Sequence, residues 1–347
     1  MRSWLVIWLG CSLLGPSAQA GGILDSIQHR HKLYDIAALG DDLFFVGFPG
    51  LVIHSKDRGK TFETLRVGTE DALFSISLAE DGTGFMVGRS GLLYSTADRG
   101  KTWTKKASGV TAHLFDVAAV PGGEGWAVGN FGTILHLPPG GAAPEKQSFD
   151  ATLPLSTAGA PVAASKSNEE AEISNAEQEN EGAVEESRLN SVTFGDNQHG
   201  WIVGEFGLIL ATADGGKSWQ RQRNPVGKLM FNVHAQDARK VLAAGADGTL
   251  VETQNAGASW TLVPTGESFH IFGFWQAADK LVIVGQDGMA MSRKAGETAF
   301  VKLPLGLYTW ISAVRFLDPQ LGFAVGGRGH LMRTEDGGAT WKTLAGK

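Results

Sequence analysis

A pair of glycines in the form Gly-x-x-Gly recurs seven times along this 347-residue chain, at an almost constant period. Successive first glycines are 41, 41, 75, 41, 40 and 41 residues apart, so the single long gap equals one period plus 34 residues. Self-similarity near forty residues is typical of propellers and solenoids. The pairs are Gly47/Gly50, Gly88/Gly91, Gly129/Gly132, Gly204/Gly207, Gly245/Gly248, Gly285/Gly288 and Gly326/Gly329.

Each repeat contains four short segments with the composition of β-strands. In the second repeat, one segment begins at Leu73, one ends at Gly88, one begins at Leu92, and the last follows the aromatic Trp103. Short runs rich in β-branched and aromatic residues, bounded by Gly and Asp, are strands rather than helices. The glycine pair fits a hairpin turn, since glycine reaches positive φ without a Cβ clash. The sequence therefore predicts an all-β fold, a seven-bladed β-propeller of four-stranded antiparallel blades with the first strand innermost.

A second motif, Ser/Thr-x-Asp-x-Gly-x-Thr/Ser-aromatic, occupies the turn before the fourth strand in five repeats. A short Asp or Asn side chain can accept N–H bonds from the residues that follow it, and the aromatic ring can be buried between neighbouring sheets. Repeats three and six have Pro138-Pro139 and Ala295-Gly296 instead. We expect a structural role for Asp57, Asp98, Asp214, Asn255, Asp336, Trp103, Trp219, Trp260 and Trp341.

The first twenty residues predict a secretory signal peptide. Arg2 precedes an apolar run from Trp4 to Leu14, and Ala18-Gln19-Ala20 is a small-x-small cleavage site. Cys11, the only cysteine, lies in this segment, so the mature chain would have no disulfide or thiol nucleophile. We expect residues 21–347 to form one propeller domain in an exported protein.

The long gap in repeat three holds an acidic, low-complexity insertion, residues 148–187. Residues 156–187 carry eight glutamates and one lysine, which leaves 28 basic and 28 acidic groups in the rest of the mature chain. Low hydrophobicity with like charge predicts disorder. We expect the connection to leave blade three near Pro138 and to return before Leu189, with Phe149 to Leu155 restoring part of the fourth strand. A neutral propeller is not typical of a nucleic-acid-binding protein.

Seven residues fall at one equivalent position, just before the first strand of each repeat: Lys32, Ala72, His113, Arg188, Leu229, His270 and Trp310. This position should ring one mouth of the central channel, where cationic groups could receive a carboxylate or the C-terminus of a peptide. The same face should carry the variable residues of the glycine turns, among them Arg89, Arg328, Phe48, Phe131 and Phe206. Exposed aromatics beside arginines are typical of an interface hot spot. The alternative is an ordinary ring of solvated loops.

The sequence predicts no catalytic residue, metal site or cofactor. His29-Arg30-His31 is the only close histidine pair, and no further clustered ligand completes a zinc site. Tyr34 and Tyr94 lie in apolar strand patterns and are interpreted as packing residues. Two well-placed carboxylates can still make a glycosidase, so a hydrolase remains an alternative at this point.

The turn motif resembles the Asp box of sialidase-type propellers. The run Trp-x-Val-Gly-x-x-Gly begins at Trp126 and again at Trp201. With this run, the motif makes the chain most similar to the Ycf48/Hcf136 family of photosystem II stability and assembly factors and their bacterial relatives. The resemblance covers residues 33 to 344 apart from the insertion. It implies an exported, non-catalytic scaffold that binds a membrane protein or complex and assists its assembly or stability.

The resemblance leaves the partner open between two settings. Photosynthetic relatives serve photosystem II in the thylakoid lumen, whereas non-photosynthetic relatives are often encoded beside RND-type transporters. The glutamate-rich insertion and the two degenerate Asp boxes depart from the photosynthetic pattern. We therefore expect a periplasmic, monomeric accessory to a membrane transport system. The alternative that the Asp box implies is a carbohydrate-active enzyme, a sialidase-like glycoside hydrolase, or a lectin, although the Arg-Ile-Pro motif of sialidases is absent.

Overall fold

The computed structural model of the protein describes residues 22–152, 186–277 and 279–346. They form seven four-stranded antiparallel sheets, each built from consecutive strands. The first strands of neighbouring sheets contact one another around a ring, and the last contacts the first. The predicted seven-bladed propeller with innermost first strands is thus confirmed. The predicted signal peptide and residues 153–185 of the insertion lie outside the described residues.

The strands of blades one to seven have these bounds. The innermost strands are β1 (Lys32–Leu39), β5 (Leu73–Leu78), β9 (Leu114–Val120), β13 (Leu189–Phe194), β17 (Met230–Ala235), β21 (Ile271–Gln276) and β25 (Ile311–Phe316). The second strands are β2 (Asp42–Phe48), β6 (Gly84–Gly88), β10 (Glu124–Gly129), β14 (Gly200–Gly204), β18 (Val241–Gly245), β22 (Lys280–Gly285) and β26 (Gly322–Gly326). The third are β3 (Leu51–Ser55), β7 (Leu93–Thr96), β11 (Ile134–Leu137), β15 (Ile209–Thr212), β19 (Leu250–Thr253), β23 (Ala290–Lys294) and β27 (Leu331–Thr334). The outermost are β4 (Glu63–Thr64), β8 (Thr104–Lys106), β12 (Glu145–Gln147), β16 (Gln220–Arg221), β20 (Thr261–Leu262), β24 (Val301–Lys302) and β28 (Lys342–Ala345).

The glycine pairs make the turns between second and third strands. Short 3-10 turns form there at Arg89–Gly91, Glu205–Gly207, Gln286–Gly288 and Gly327–Gly329. A Cβ on Gly88 would lie only 2.1 Å from the carbonyl oxygen of Ala72, so the first glycine permits a close approach of two backbones. These turns therefore lie against the start of each innermost strand.

The Asp boxes cap the turns between third and fourth strands, at the opposite end of each blade. In blade four, Asp214 Oδ1 accepts bonds from Thr212 Oγ1 at 2.8 Å and from the Ser218 N–H at 3.0 Å, and Asp214 Oδ2 accepts one from Ser218 Oγ at 2.6 Å. The Ser218 hydroxyl is the main cause that lowers the pKa of Asp214 to about 2. The following ring, Trp219, is fully buried in the cluster between blades three and four.

Blade three is complete before the insertion begins, which corrects the predicted connection near Pro138. Its fourth strand is Glu145–Gln147, paired with β11, so the prediction that this strand starts at Phe149 is wrong. Residues 153–155 of the predicted strand lie outside the described residues. Instead Phe149 packs into the cluster between blades three and four, and Asp150 forms a parallel bridge with Gln220 of blade four. The Glu-Lys-Gln sequence of β12 has no apolar alternation to reveal it, because an outermost strand faces solvent.

The N-terminal segment and three polar contacts join blade seven to blade one. Leu24, in the 3-10 turn Leu24–Ser26, and Ile27 are buried in the cluster that blades seven and one share. Across the same junction, Arg58 of blade one forms an ion pair with Asp318 of blade seven. Ser312 Oγ also lies 3.1 Å from the Leu33 carbonyl oxygen, and Arg333 Nη1 lies 2.9 Å from that of Gly59. Among the described residues, no helix is long and apolar enough to span a membrane.

Candidate functional site

The innermost strands surround a central cavity of about 660 Å³. Every innermost strand carries a register shift near its start, where one residue has no partner on the second strand. A β-bulge of this kind leaves one residue unpaired and re-aims its side chain. The seven bulge residues all line the cavity: Tyr34, Phe74, Phe115, Asn190, Phe231, Phe272 and Ser312.

Five of the seven bulge residues are aromatic, and with Trp310 they form what we call the aromatic collar: Tyr34, Phe74, Phe115, Phe231, Phe272 and Trp310. Tyr34 stacks on Trp310 at 5.7 Å between ring centroids and meets the edge of Phe74 at 5.3 Å. Phe74 in turn lies 5.7 Å from Phe115. Phe231 and Phe272 form a second pair at 5.1 Å. Tyr34 is therefore part of a channel lining. Its apolar sequence context had led us to expect a packing residue within a blade, and that expectation is wrong.

The structure brings the predicted ring and the glycine turns to one face. In six blades the N–H of the residue after the first glycine donates to the carbonyl of the ring residue, with acceptors at Ala72, His113, Arg188, Leu229, His270 and Trp310. In blade one the ring residue Lys32 pairs in register with Phe48. The ring therefore lies at the rim of the channel, directly outside the aromatic collar except for Trp310, which belongs to both.

The two ring histidines bind the turns of the preceding blades. The Ser90 N–H donates to His113 Nδ1 at 3.0 Å, and the Asp247 N–H donates to His270 Nδ1 at 3.2 Å. Each Nδ1 must therefore present its lone pair, which leaves the ring proton on Nε2. These histidines fix the turns and, as neutral rings, offer an N–H donor at the rim rather than a positive charge.

The cationic groups of this face differ in how firmly they are held. The Arg188 guanidinium lies 5.5 Å from the centre of the Phe115 ring, and its Nε is 3.8 Å from Glu205 Oε1. The other three cations that the sequence predicted here, Lys32, Arg89 and Arg328, are exposed. Arg89 and Arg328 are on the turns of blades two and seven, so they flank blade one. The same face also carries Lys228, which pairs with Asp247 at 3.0 Å, and the turn carboxylates of Glu205 and Asp287, so its charge is mixed.

Two turn aromatics on this face are exposed to solvent in an unfavourable backbone conformation. Phe131 is 70% exposed at φ +57°, and Phe206 is 58% exposed at φ +55°. A bulky residue in the left-handed region is a genuine outlier, and such strain clusters at functional sites. The turn of Phe48 differs, because its next residue, Pro49, cannot take the left-handed conformation. Phe48 is half-buried, so the prediction that it is exposed is wrong. Tyr308, 92% exposed just before the ring position of blade seven, is a further aromatic that the sequence did not single out.

Deeper in the channel lies a set of ionisable side chains that sequence reasoning missed. Asp35 and Asp116 line the cavity with Ser75 between them, and His234 and Arg315 line it from blades five and seven. Burial, and then the charge of Asp116, raises the pKa of Asp35 to about 6. Burial, and then Arg315, lowers the pKa of His234 to about 4. Part of the surface of each of these side chains stays open to the channel. The available signal was an Asp directly after the bulge aromatic in repeats one and three.

In the part of the chain that the structure describes, no three His, Cys, Asp or Glu side chains converge as metal ligands would. His31 of the predicted histidine pair instead accepts the Gln28 N–H on its own Nδ1 at 2.8 Å. What this face presents is an apolar, aromatic channel mouth, rimmed by donors and positive charge, that can hold an apolar side chain together with a carboxylate.

One protein family matches the chain in sequence. The family described as photosynthesis system II assembly factor YCF48 matches residues 60–188 and 170–270, which together cover more than half of the chain. No curated protein matches the chain in sequence.

Solved propellers share the fold at low sequence identity. A structure described as YCF48 bound to D1 peptide superposes with a TM-score of 0.65 at 14% identity, over 90% of this chain and 95% of that one. YCF48 from Cyanidioschyzon merolae gives 0.66 at 16% identity, over 90% and 97%. The WD40 β-propeller domain of Doa1 gives 0.61 at 11% identity, over 88% and 92%. These likenesses show a shared fold.

Proposed function

The chain belongs to the family of photosynthesis system II assembly factor YCF48, and from this premise we propose that it is a non-catalytic scaffold which binds an extended segment of a membrane protein. The observation that carries the proposal is the aromatic collar, placed at the mouth of a channel beneath exposed arginines. Rigid propellers present such loops independently of their core, which suits recognition.

The geometry favours a peptide that enters the channel mouth with an apolar or aromatic side chain. Burial of that side chain against Tyr34, Phe74 or Phe115 supplies most of the affinity, because apolar area removed from water gains about 25 cal/mol per Å². The Nε2–H groups of His113 and His270 donate to main-chain carbonyls or to a terminal carboxylate. A relative with the same fold is described as bound to a D1 peptide, which supports a peptide as the ligand class.

For the setting, we propose an exported protein that acts as a monomer and needs no cofactor. The partner we propose is a membrane complex facing the periplasm, with an RND-type transporter as the first candidate. This choice rests on the resemblance described above and on the acidic insertion. A thylakoid-lumen protein that serves a photosystem is the alternative setting.

Crosslinking of the exported protein in cells tests this proposal. With a photoreactive amino acid at Tyr308 or at Phe131, we expect one membrane protein to be captured. With the same group at Lys101, on the opposite face, we expect none. Capture of the same membrane protein from Lys101 but not from the other two positions would contradict the assigned face.

A glycoside hydrolase is the second candidate, because Asp35 and Asp116 are a carboxylate pair in a channel. The two groups already share Ser75 and accept backbone N–H bonds from Ile76 and Val192. Such bonds hold them as structural groups and leave little freedom for proton transfer to a sugar. Hydrolysis of a panel of glycosides that is lost in Asp116→Asn would establish this alternative.

A further inference from the structure

The aromatic residue that ends each Asp box fills the space between its own blade and the preceding one. Phe62, Trp103, Trp219, Trp260 and Trp341 all pack into such clusters. Blade six has lost the box but keeps a ring: Phe300 directly precedes β24 and packs against the cluster between blades five and six. Six of the seven interfaces are thus closed by an aromatic side chain at one equivalent position.

Blade three is the exception. Thr104 pairs with Ser95 in blade two, and Glu145 pairs with His136 in blade three, so the two outer strands are in the same register. The residue before each is therefore equivalent, and Pro144 stands where blade two has Trp103. The turn of blade three has the same backbone conformation as the turn of blade two, since Gly140 and Gly141 have positive φ as Arg99 and Gly100 do. The aromatic ring is thus missing from blade three together with the polar residues of the box.

A pocket of about 510 Å³ opens at this interface. Phe85 and Leu93 of blade two and Leu137, Pro138 and Pro144 of blade three give it apolar walls. Asp98, Thr104 and Lys106 add polar groups to the lining of the pocket. Ligand pockets of about 300–1,000 Å³ with apolar walls and a few polar groups are typical of small-molecule sites.

We propose that the pocket between blades two and three binds a planar aromatic ring of about the size of an indole. The six other interfaces show which chemical group this space accepts, and five of them have the same pair of left-handed residues in the turn. A bound ring would contact Phe85 and Leu137, which are already largely buried, and would fill the space that the box aromatic occupies at the other interfaces. The Lys106 ammonium, beside the Gly141 turn, would lie close to a ring face and add a cation–π contact.

The site is separate from the channel mouth. Pro138 and Asp98 belong to turns between third and fourth strands, at the end of the blades opposite the aromatic collar. Ligand binding here therefore does not depend on the function proposed above. The ring could belong to a free small molecule or to an aromatic side chain, and the probes below distinguish these sources.

Binding of indole to the purified full-length protein tests the proposal, with ligand-observed NMR and calorimetry as the readouts. We expect a dissociation constant below about 1 mM. Pro144→Trp restores the repeat pattern with a ring of the chain's own, so it should weaken indole binding at least tenfold and raise the melting temperature. Ala142→Trp, at an exposed position on the pocket wall, is a second filling variant. N-acetyl-tryptophanamide is the second probe, since it carries the ring on a peptide-like backbone.

Binding of both probes assigns the pocket to an aromatic side chain, and binding of indole alone assigns it to a free small molecule. The proposal is overturned if neither probe binds, or if the filling variants bind indole as well as the wild type does. Trp219→Ala serves as the matched control. It opens the equivalent space between blades three and four and should add a second indole site.

Discussion

Asp35 and Asp116 approach a single hydroxyl group from the two blades that flank it. Ser75 Oγ lies 3.0 Å from Asp35 Oδ2 and 2.6 Å from Asp116 Oδ1. One hydroxyl carries one proton, so it cannot donate to both carboxylates at once. If Asp35 is protonated, it donates to Ser75 and Ser75 donates to Asp116, and every contact is satisfied. The geometry therefore favours one shared proton in the channel, in agreement with the raised pKa of Asp35.

The first prediction concerns Asp35→Asn. Because the folded protein raises the pKa of Asp35 from 3.8 to about 6, folding favours the protonated form. This stabilisation is present below about pH 4 and is lost as the pH rises through 6. An amide keeps a donor without a charge, so the variant should be more stable than wild type at pH 8, by on the order of 1–3 kcal/mol. The difference should shrink towards zero at pH 4. Urea unfolding at pH 4, 6 and 8 measures it.

Ser75→Ala is the companion variant for this network. It removes the shared hydroxyl, so the two carboxylates lose their bridge, and the stabilising effect of Asp35→Asn should change in size. A wild type that is more stable than Asp35→Asn at pH 8 would show that both carboxylates are ionised and well solvated.

The second prediction concerns the Asp-box aromatics. Trp219 is fully buried between blades, whereas Trp341 is partly exposed at the last blade. Trp219→Ala should therefore cost about 3–5 kcal/mol of unfolding free energy, and Trp341→Ala less. Both variants should bind the partner normally while folded, because these rings lie far from the channel mouth. Loss of binding with an unchanged melting temperature would show that the motif is functional.

The sequence was sufficient for the architecture because the propeller is specified locally and repeatedly. The first glycine of each pair, such as Gly88, permits a close approach of two backbones within its own blade, and each Asp box stabilises its own turn. The prediction failed where a blade departs from the repeat. The short strand Glu145–Gln147 faces solvent and has no apolar pattern, and the contact of Asp150 with Gln220 joins different blades.

The candidate site was only partly predictable for a related reason. The ring positions such as His113 follow from aligning the repeats, so their common location could be predicted. The aromatic collar could not, because a β-bulge moves Tyr34 and Phe74 off the alternation that separates core from surface. Asp35 and Asp116 lie 81 residues apart in sequence, and only the closed ring brings them to one serine.

The third prediction separates charge from apolar contact at the channel mouth. Arg89→Glu with Arg328→Glu should weaken binding of a partner from membrane extracts mainly at low salt, because exposed charges are screened within about 8–10 Å at ordinary ionic strength. Trp310→Ala should weaken binding at any salt, since it removes apolar area from the aromatic collar. Pulldowns at 50 and 500 mM salt, roughly bracketing that range, measure both effects.

The opposite face supplies the control for this experiment. Lys60, Lys101 and Lys217 are on Asp-box turns, and changing any two of them to Glu reverses as much charge away from the channel mouth as the double Arg variant does at it. If these changes abolish the pulldown while the Arg and Trp variants retain it, the binding face has been assigned to the wrong end of the propeller.

The last prediction uses the strained backbone of the exposed turns. Phe131 holds φ at +57° with 70% of its side chain in solvent, so the folded protein gains little from burying it and loses about 1 kcal/mol from its conformation. Phe131→Gly should therefore raise the unfolding free energy by about that amount, and it should weaken partner binding if the ring is an interface anchor. Ser90→Gly is the matched control, at φ +54° on the turn of blade two. It should stabilise the protein without affecting the partner, because Gly keeps the N–H that binds His113. Unfolding curves and pulldowns on the two variants give the readout. A Phe131→Gly protein that is both more stable and fully able to bind would remove Phe131 from the site.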